Sequence, residues 1–335
     1  MACLKGNKTR DKRKVDFSVC VSTYNSAKTL RVCLDSIFQQ TVKPTEVLVC
    51  DGGSTDGTLE ILKEYPVKVV ATDVRGVGSA RNVLAFAVSE KMIAWIDSDV
   101  AIPVNWLELR EEIHQAHPEV DCLSNAGRYV NTTEANEISK IPISSEIVLK
   151  QHNEISHGTL TIKRELYQKV GGYDPLFEWG EDWDLKTRLL RIGAGIYWTE
   201  TCLSYHMRSE KFVKSRVGQY ILLHDLEPRK FILAGNFLCF LFKYGLWYVR
   251  SNPRHLVTFL LRLWLLYSLL EIAILPRLAL ISLSLAVIAN LLGCKLHHKR
   301  LRVGFLLEQV LKAVGEHRNL LRSIVYRWKH RKTKL

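Results

Sequence analysis

Among eight cysteines (Cys3, Cys20, Cys33, Cys50, Cys122, Cys202, Cys239 and Cys294) there is no Cys-x-x-Cys pair and no metal-ligand spacing. A cysteine-built metal site is therefore not expected, and a reducing, cytoplasmic compartment is the default. Cys20, Cys33 and Cys50 stand in apolar contexts and read as small core residues. The N-terminus is charged but lacks an apolar stretch, so it is not expected to be a secretory signal. No Gly-Lys-Ser/Thr closes a Walker loop, and no glycine triplet has the dinucleotide-binding spacing. Helix-turn-helix, zinc-finger and RNP signatures are also missing, so nucleic acid is not the expected partner despite a net charge of +13.

That charge is unevenly placed. One basic cluster forms the tail at residues 1–14 (Lys5, Lys8, Arg10, Lys12, Arg13, Lys14), and the others bracket apolar runs that dominate from about residue 231. Residues 256–275 are long enough for a spanning helix, although Arg262 and Glu271 are costly at membrane depth. Pro276 and Arg277 interrupt, and residues 278–293 are a second, shorter run. Arg250, Arg254, Lys295, Lys299 and Arg300 at the outer ends favour a hairpin with both ends cytoplasmic, against segments lying in the interface. Residues 231–249, broken by Gly235, Asn236, Lys243 and Gly245, read as an interfacial helix. From 301 to 335, apolar residues at helical spacing oppose Lys312, Arg318, Arg322 and Lys329. This is a basic amphipathic helix for an anionic surface, or for packing on the rest of the protein. The expected organisation is thus a tail (1–14), a soluble domain (15–228), an interfacial helix and hairpin (229–300) and an amphipathic helix (301–335).

The soluble domain opens with short apolar strands alternating with amphipathic helices. Strands are expected at 15–22, 46–50, 67–71 and 92–96, and helices at 27–40, 58–65 and 78–91, the first capped by Asn25 or Ser26. The alternation implies an α/β fold with a mostly parallel sheet covered on both faces, and ligands in such sheets bind at the carboxyl ends of the strands. Those ends carry Asp51, Asp97 and Asp99.

Three segments can carry chemistry, and each has a plainer explanation. The run from Asp51 to Gly57 is equally a Gly-rich turn with an Asx-type cap. Asp97-Ser98-Asp99 can present carboxylates to a divalent cation, or simply cap helices. Gly180-Glu181-Asp182-Trp183-Asp184 opens an amphipathic helix, where acids are stabilising in any case. Taken together, FSVCVSTYN (17–25), VLVCDGGSTDGT (47–58), RGVGSARN (75–82), WIDSDV (95–100), VGGYDPLF (170–177) and GEDWDLKTRLLRIG (180–193) resemble family 2 glycosyltransferases of the GT-A fold. The resemblance covers roughly the first 220 residues.

It implies an inverting transfer from a nucleotide-diphosphate sugar, assisted by Mg2+ or Mn2+, and a role for each matching residue. Asp51, with Thr23 and Asn25, is implied at the nucleotide, although the family often has two acids where this chain has Cys50-Asp51. Arg75 and Arg81 are implied at base, ribose or diphosphate, and Asp97 on the nucleotide side of the Asp-x-Asp. Asp99 is the implied metal ligand, joined by His206. Asp182 is the implied general base and Glu181 its acceptor-placing neighbour, with Trp179 and Trp183 as aromatic walls for sugar. Arg208, Lys211 and Arg216 follow as candidates to close over the diphosphate.

A base suits a hydroxyl acceptor, such as a sugar on a lipid carrier, better than a polyprenyl phosphate, which is already ionised. The expected setting is the cytoplasmic face of the cell membrane, in contact with membrane lipids, and self-association into a homo-oligomer stays open. The rival readings are a polyprenyl-phosphate glycosyltransferase, a nucleotidyltransferase and a non-catalytic nucleotide-sugar-binding scaffold. Processive polymer synthesis is disfavoured by the lack of a Gln-x-x-Arg-Trp segment.

Overall fold

The computed structural model describes residues 14–71, 76–144, 147–152, 155, 158–175, 177, 180–199 and 204–208, with scattered helical positions between 256 and 288. The chain divides into two compact units, Met1–Pro175 with Glu181–Lys214, and Leu176–Gly180 with Ser215–Leu335.

In the first unit the chain begins with β1 (Lys14–Thr23), α1 (Leu30–Phe38), β2 (Lys43–Asp51), α2 (Thr58–Leu62) and β3 (Lys68–Ala71). It continues through α3 (Val77–Ala87), β4 (Met92–Ile96), β5 (Val100–Ala101), α4 (Trp106–Ala116), β6 (Cys122–Asn125), β7 (Arg128–Val130) and α5 (Thr132–Ile138). Then come β8 (Leu149–Gln151), β9 (Thr159–Lys163), α6 (Arg164–Lys169), α7 (Glu181–Arg191), β10 (Ile196–Thr199) and β11 (Tyr205–Met207).

The expected α/β architecture is present. Eight strands form one sheet in the order β3-β2-β1-β4-β9-β6-β10-β8. β3, β2, β1 and β4 run parallel, and β6 pairs parallel with β10. β9 lies antiparallel between β4 and β6, and β8 is antiparallel to β10. Alternation along β1 explains its central place: Val15, Phe17, Val19 and Val21 face one core, and Cys20 faces the other. The first core packs against Leu30, Cys33, Leu34 and Ile37 of α1 and Trp106 and Leu107 of α4. The second packs against α3 (Ala80, Leu84, Ala85), Tyr167 of α6, and Leu185 and Leu189 of α7. Cys20, Cys33 and Cys50 are buried free thiols within these cores, as expected.

Three local expectations are corrected. Pro44 lies inside β2 instead of ending the helical unit before it. There β2 has β1 on one side only, because pairing with β3 begins at Leu48, so the missing N–H disrupts no second ladder. α1 begins at Leu30, and the amide of Ala27 is met by the Asp56 carboxylate from the next strand-end loop, at 3.1 Å. α3 ends at Ala87, where Val88 turns extended.

The topology places the site. From β1 the chain moves through β2 to β3 on one side and then returns to β4 on the other, which makes a switch point between β1 and β4. A second, three-stranded sheet, β5-β11-β7, follows directly on the end of β4. Among the described residues, no helix is long and apolar enough to cross a membrane. Apart from Lys14, which opens β1, the expected tail lies outside the described residues, as do the interfacial helix, the C-terminal amphipathic helix and most of the expected hairpin.

The glycine turn between α6 and α7 is held by one side chain of α3. Asn82 Oδ1 accepts the Tyr167 hydroxyl (2.7 Å) and the Tyr173 amide (2.8 Å), while Nδ2 donates to the Tyr173 carbonyl (2.8 Å). Gly172, at φ +65°, passes so near this amide that a Cβ would strike Asn82 Oδ1. Asn82→Ala should lower unfolding free energy by about 2 kcal/mol, because it removes three hydrogen bonds between α3 and the turn. A urea midpoint indistinguishable from wild type would contradict this account.

Candidate active site

Two strand-end loops brace each other at the mouth of the switch point. Asp51, at the end of β2, accepts the amides of Gly53 and Ser54 (both 2.9 Å) and the Ser54 hydroxyl (2.5 Å). Its carboxylate is therefore engaged by its own loop, in the Asx-type turn that the sequence allowed. Asn25, left-handed at φ 49°, donates its amide to Ser54 Oγ and accepts the Thr55 amide, each at 2.8 Å. Thr23 is buried beside them, and its hydroxyl oxygen has no hydrogen-bond partner among the described residues. These are three of the residues implied at the nucleotide, and the fold brings them to one end of the sheet.

Beyond β4, a turn closed by the Val100 amide on the Asp97 carbonyl (2.9 Å) leads through Asp97 and Asp99 into β5. β11 pairs with both β5 and β7, so that His206 lies opposite Val100 on one side and Tyr129 on the other. The result is a cluster of Asp97, Asp99 and His206, with one ligand atom from each lying within 4.8 Å of the others. His206 Nε2 is 3.1 Å from Asp99 Oδ1, and its ring stacks on Tyr129. Gly158 backs the cluster, where a Cβ would lie 3.7 Å from both Asp97 Oδ2 and His206 Cε1. Two hard carboxylates with one imidazole are a donor set suited to a divalent ion such as Mn2+. Burial raises the Asp99 carboxyl's affinity for its proton, but His206 and Arg208 outweigh it and hold the group below the usual range.

Asp97 is joined to the acids of α7 by one buried cation. Arg81, only 4% exposed, donates Nη2 to Asp97 Oδ1 (2.8 Å) and Nη1 to Glu181 Oε1 (3.3 Å). Its guanidinium lies over the Tyr173 ring, 5.4 Å from the centroid. Burial opposes this charge, yet Tyr173, Asp97 and Glu181 more than offset it and keep Arg81 protonated. Arg81, expected at base, ribose or diphosphate, is thus found between two acids.

Glu181 and Asp182 open α7, and burial pushes both carboxyls above their ordinary range. Arg81 opposes that rise at Glu181; at Asp182 the Trp183 amide, donating to Oδ1 at 2.8 Å, is the first opposing influence. Trp183 itself is 41% exposed, and the Lys186 ammonium lies over its ring, 5.8 Å from the centroid. The third acid of the run has another part. Asp184 is fully buried and ion-paired with Arg188, which also donates to the carbonyls of Val170 and Gly172. This pair was not singled out from the sequence, although its i,i+4 spacing was a usable signal.

A cleft of about 520 Å3 opens beside these groups, lined among others by Asn25, Ser26, Lys28, Asp97, Asp99 and Arg208. Lys28 has no counterpart among the sequence candidates. Arg75, Trp179, Lys211 and Arg216 lie outside the described residues.

Residues 18–175 match the family described as Glycosyl transferase family 2. Over 201 residues the chain is 26% identical to the chondroitin synthase of Escherichia coli, covering 58% of this chain but only 29% of that protein. It is 25% identical over 230 residues to the uncharacterized glycosyltransferase RP339 of Rickettsia prowazekii, covering 62% and 69% of the two chains. The mannosyltransferase PcManGT of Pyrobaculum calidifontis, solved in complex with GDP-Man and Mn2+, shares the fold at a TM-score of 0.52 and 16% identity. That superposition covers 92% of this chain and 86% of the other. The fold is GT-A-like.

The raised Asp182 carboxyl sets the sign of a pH effect. A folded-state pKa above the unfolded value means that the native protein holds its proton longer, so stability falls as pH rises through the carboxylate range. Asp182→Asn should therefore be more stable than wild type at about pH 8, with the gain vanishing near pH 3. Parallel unfolding curves with no pH-dependent gap would show that Asp182 is not desolvated.

Proposed function

We propose that the chain transfers a hexose, such as mannose or glucose, from a GDP- or UDP-sugar to a hydroxyl of a glycan acceptor, with inversion at the anomeric carbon. The observation that carries this reading is the union of the Asp97–Asp99–His206 cluster with the Glu181–Asp182 pair through Arg81. One half answers the problem of a diphosphate leaving group, the other that of a weak hydroxyl nucleophile. Asp97 and Asp99 follow β4 beside the switch point of the sheet and fall within the family match, which ends at residue 175, before Glu181 and Asp182.

Asp97, Asp99 and His206 are the residues that would hold a divalent ion, Mg2+ or Mn2+, and such an ion supplies electrostatic stabilisation of the departing diphosphate. The remaining chemistry falls to side chains. Asp182 accepts the proton of the acceptor hydroxyl as that oxygen attacks the anomeric carbon. A carbon–oxygen bond to the acceptor forms while the bond to the diphosphate oxygen breaks on the opposite face. The proton ends on Asp182, and the electron pair leaves with the diphosphate. Burial makes the Asp182 carboxylate a better proton acceptor than an exposed one. Glu181, fixed by Arg81, is a hydrogen-bonding group for the acceptor, and the exposed Trp183 ring is a stacking face for a sugar.

A positioned base favours a hydroxyl acceptor over a phosphate, which supports a glycan, lipid-linked or free, as the second substrate. The apolar runs after residue 231, bracketed by arginines and lysines, support attachment to the cytoplasmic face of a membrane.

Membrane preparations carrying the full chain, supplied with UDP- and GDP-sugars and with Mg2+ or Mn2+, test this reading. One donor should turn over only with metal, and Asp182→Asn should lower that rate roughly 10²–10⁴-fold. Full turnover in Asp182→Asn would remove the base assignment, and no donor turnover at all would remove the reading.

A further inference from the structure

The guanidinium of Arg208 lies on the groups that the cleft offers to a cation. One nitrogen, Nη1, is hydrogen-bonded to Asp99 Oδ2, and the other, Nη2, is 3.3 Å from His206 Nε2. Arg208 thus touches two of the three residues of the candidate metal cluster. The third, Asp97, has its own cation in the buried Arg81. Each carboxylate of the cluster is therefore balanced by an arginine of the chain, but the two arginines differ in kind. Arg81 is sealed, at 4% exposure, between two acids and an aromatic ring. Arg208 keeps 35% of its side chain exposed, lines the open cleft, and directly follows β11. Its guanidinium lies 5.7 Å from the centroid of the Tyr129 ring.

A divalent ion bound to Asp99 and His206 would share the Asp99 carboxylate and the His206 imidazole edge that the Arg208 guanidinium now engages. Two positive centres on one carboxylate repel each other, and only one can have the close position. We infer that Arg208 is a resident counter-cation of the metal site, which must leave Asp99 before a divalent ion enters, and that the anionic diphosphate arriving with the ion takes it up. This rests on the reading of Asp97, Asp99 and His206 as a cation site. It makes ion and nucleotide bind as a coupled pair: the ion displaces the arginine, the diphosphate gives it a new partner, and neither alone does both. An isolated ion is disfavoured by the arginine, so cation binding before the donor arrives is weak.

The test is Mn2+ binding to the full chain in detergent, followed by the electron paramagnetic resonance of free Mn2+, with no sugar donor and no turnover involved. Without nucleotide, Arg208→Gln should bind Mn2+ about tenfold more tightly than wild type. Arg208→Lys, which keeps the charge, should stay close to wild type and separates loss of charge from damage to the fold. Adding UDP or GDP should tighten Mn2+ binding strongly in wild type and only weakly in Arg208→Gln. Equal Mn2+ affinities for wild type and Arg208→Gln, in protein whose turnover requires metal, would overturn the counter-cation role and leave the transferase reading standing. Absence of Mn2+ binding in every form, with metal-independent turnover, would overturn the metal site itself.

Discussion

A single buried guanidinium holds the two halves of this site together. Arg81 reaches Asp97 at the end of β4 and Glu181 at the start of α7, from a helix whose Ala80, Leu84 and Ala85 are part of the core. A charge so completely removed from water is tolerable only with its partners in place, and removing one member of such a pair costs about 3–5 kcal/mol. The geometry therefore constrains three elements at once. The neighbouring Asn82 adds a fourth constraint, because it fixes the glycine turn and Tyr173, over which the guanidinium lies. The acid that ends the sheet and the acids that open the helix are thereby set in register by packing, before any ligand is present.

Five carboxylates of the same chemistry are given different tasks by their surroundings. Asp184 is sealed against Arg188 and belongs to the scaffold. Asp99 sits among His206 and Arg208, which favour its ionised form and suit it to a cation. Asp97 is tied to Arg81 and shares the cluster. Glu181 and Asp182 are desolvated and hold protons more readily, the property wanted of a group that must take one from a hydroxyl. Basic groups divide in the same way: Arg81 and Arg188 are internal, while Lys28 and Arg208 line the cleft.

The parts of this arrangement visible in the sequence are those governed by local periodicity. Strands β1, β2 and β4 are largely buried on both faces, so their apolar runs stand out, and their carboxyl ends mark the site. What followed β4 was less legible, because β9 enters antiparallel and β5, β7 and β11 are two or three residues long, too short for any period. His206 was reached only through resemblance, since it meets Asp99 across 107 positions of sequence. The bracing of Ala27 by Asp56 and the burial of Arg81 are likewise long-range facts that spacing does not encode. Arg81 looked like a ligand-facing residue because an arginine's partners cannot be read from its neighbours in the chain. The C-terminal apolar runs remain a sequence observation.

The central claim is that the switch-point cleft takes a nucleoside diphosphate together with a divalent ion. Calorimetric titration of the full chain with UDP and GDP, with and without Mn2+, tests it most directly. The account predicts that one nucleotide binds with Mn2+ and at least about tenfold more weakly without it, and that Asp99→Ala abolishes the difference. Equal binding of that nucleotide in the presence and absence of metal would contradict it.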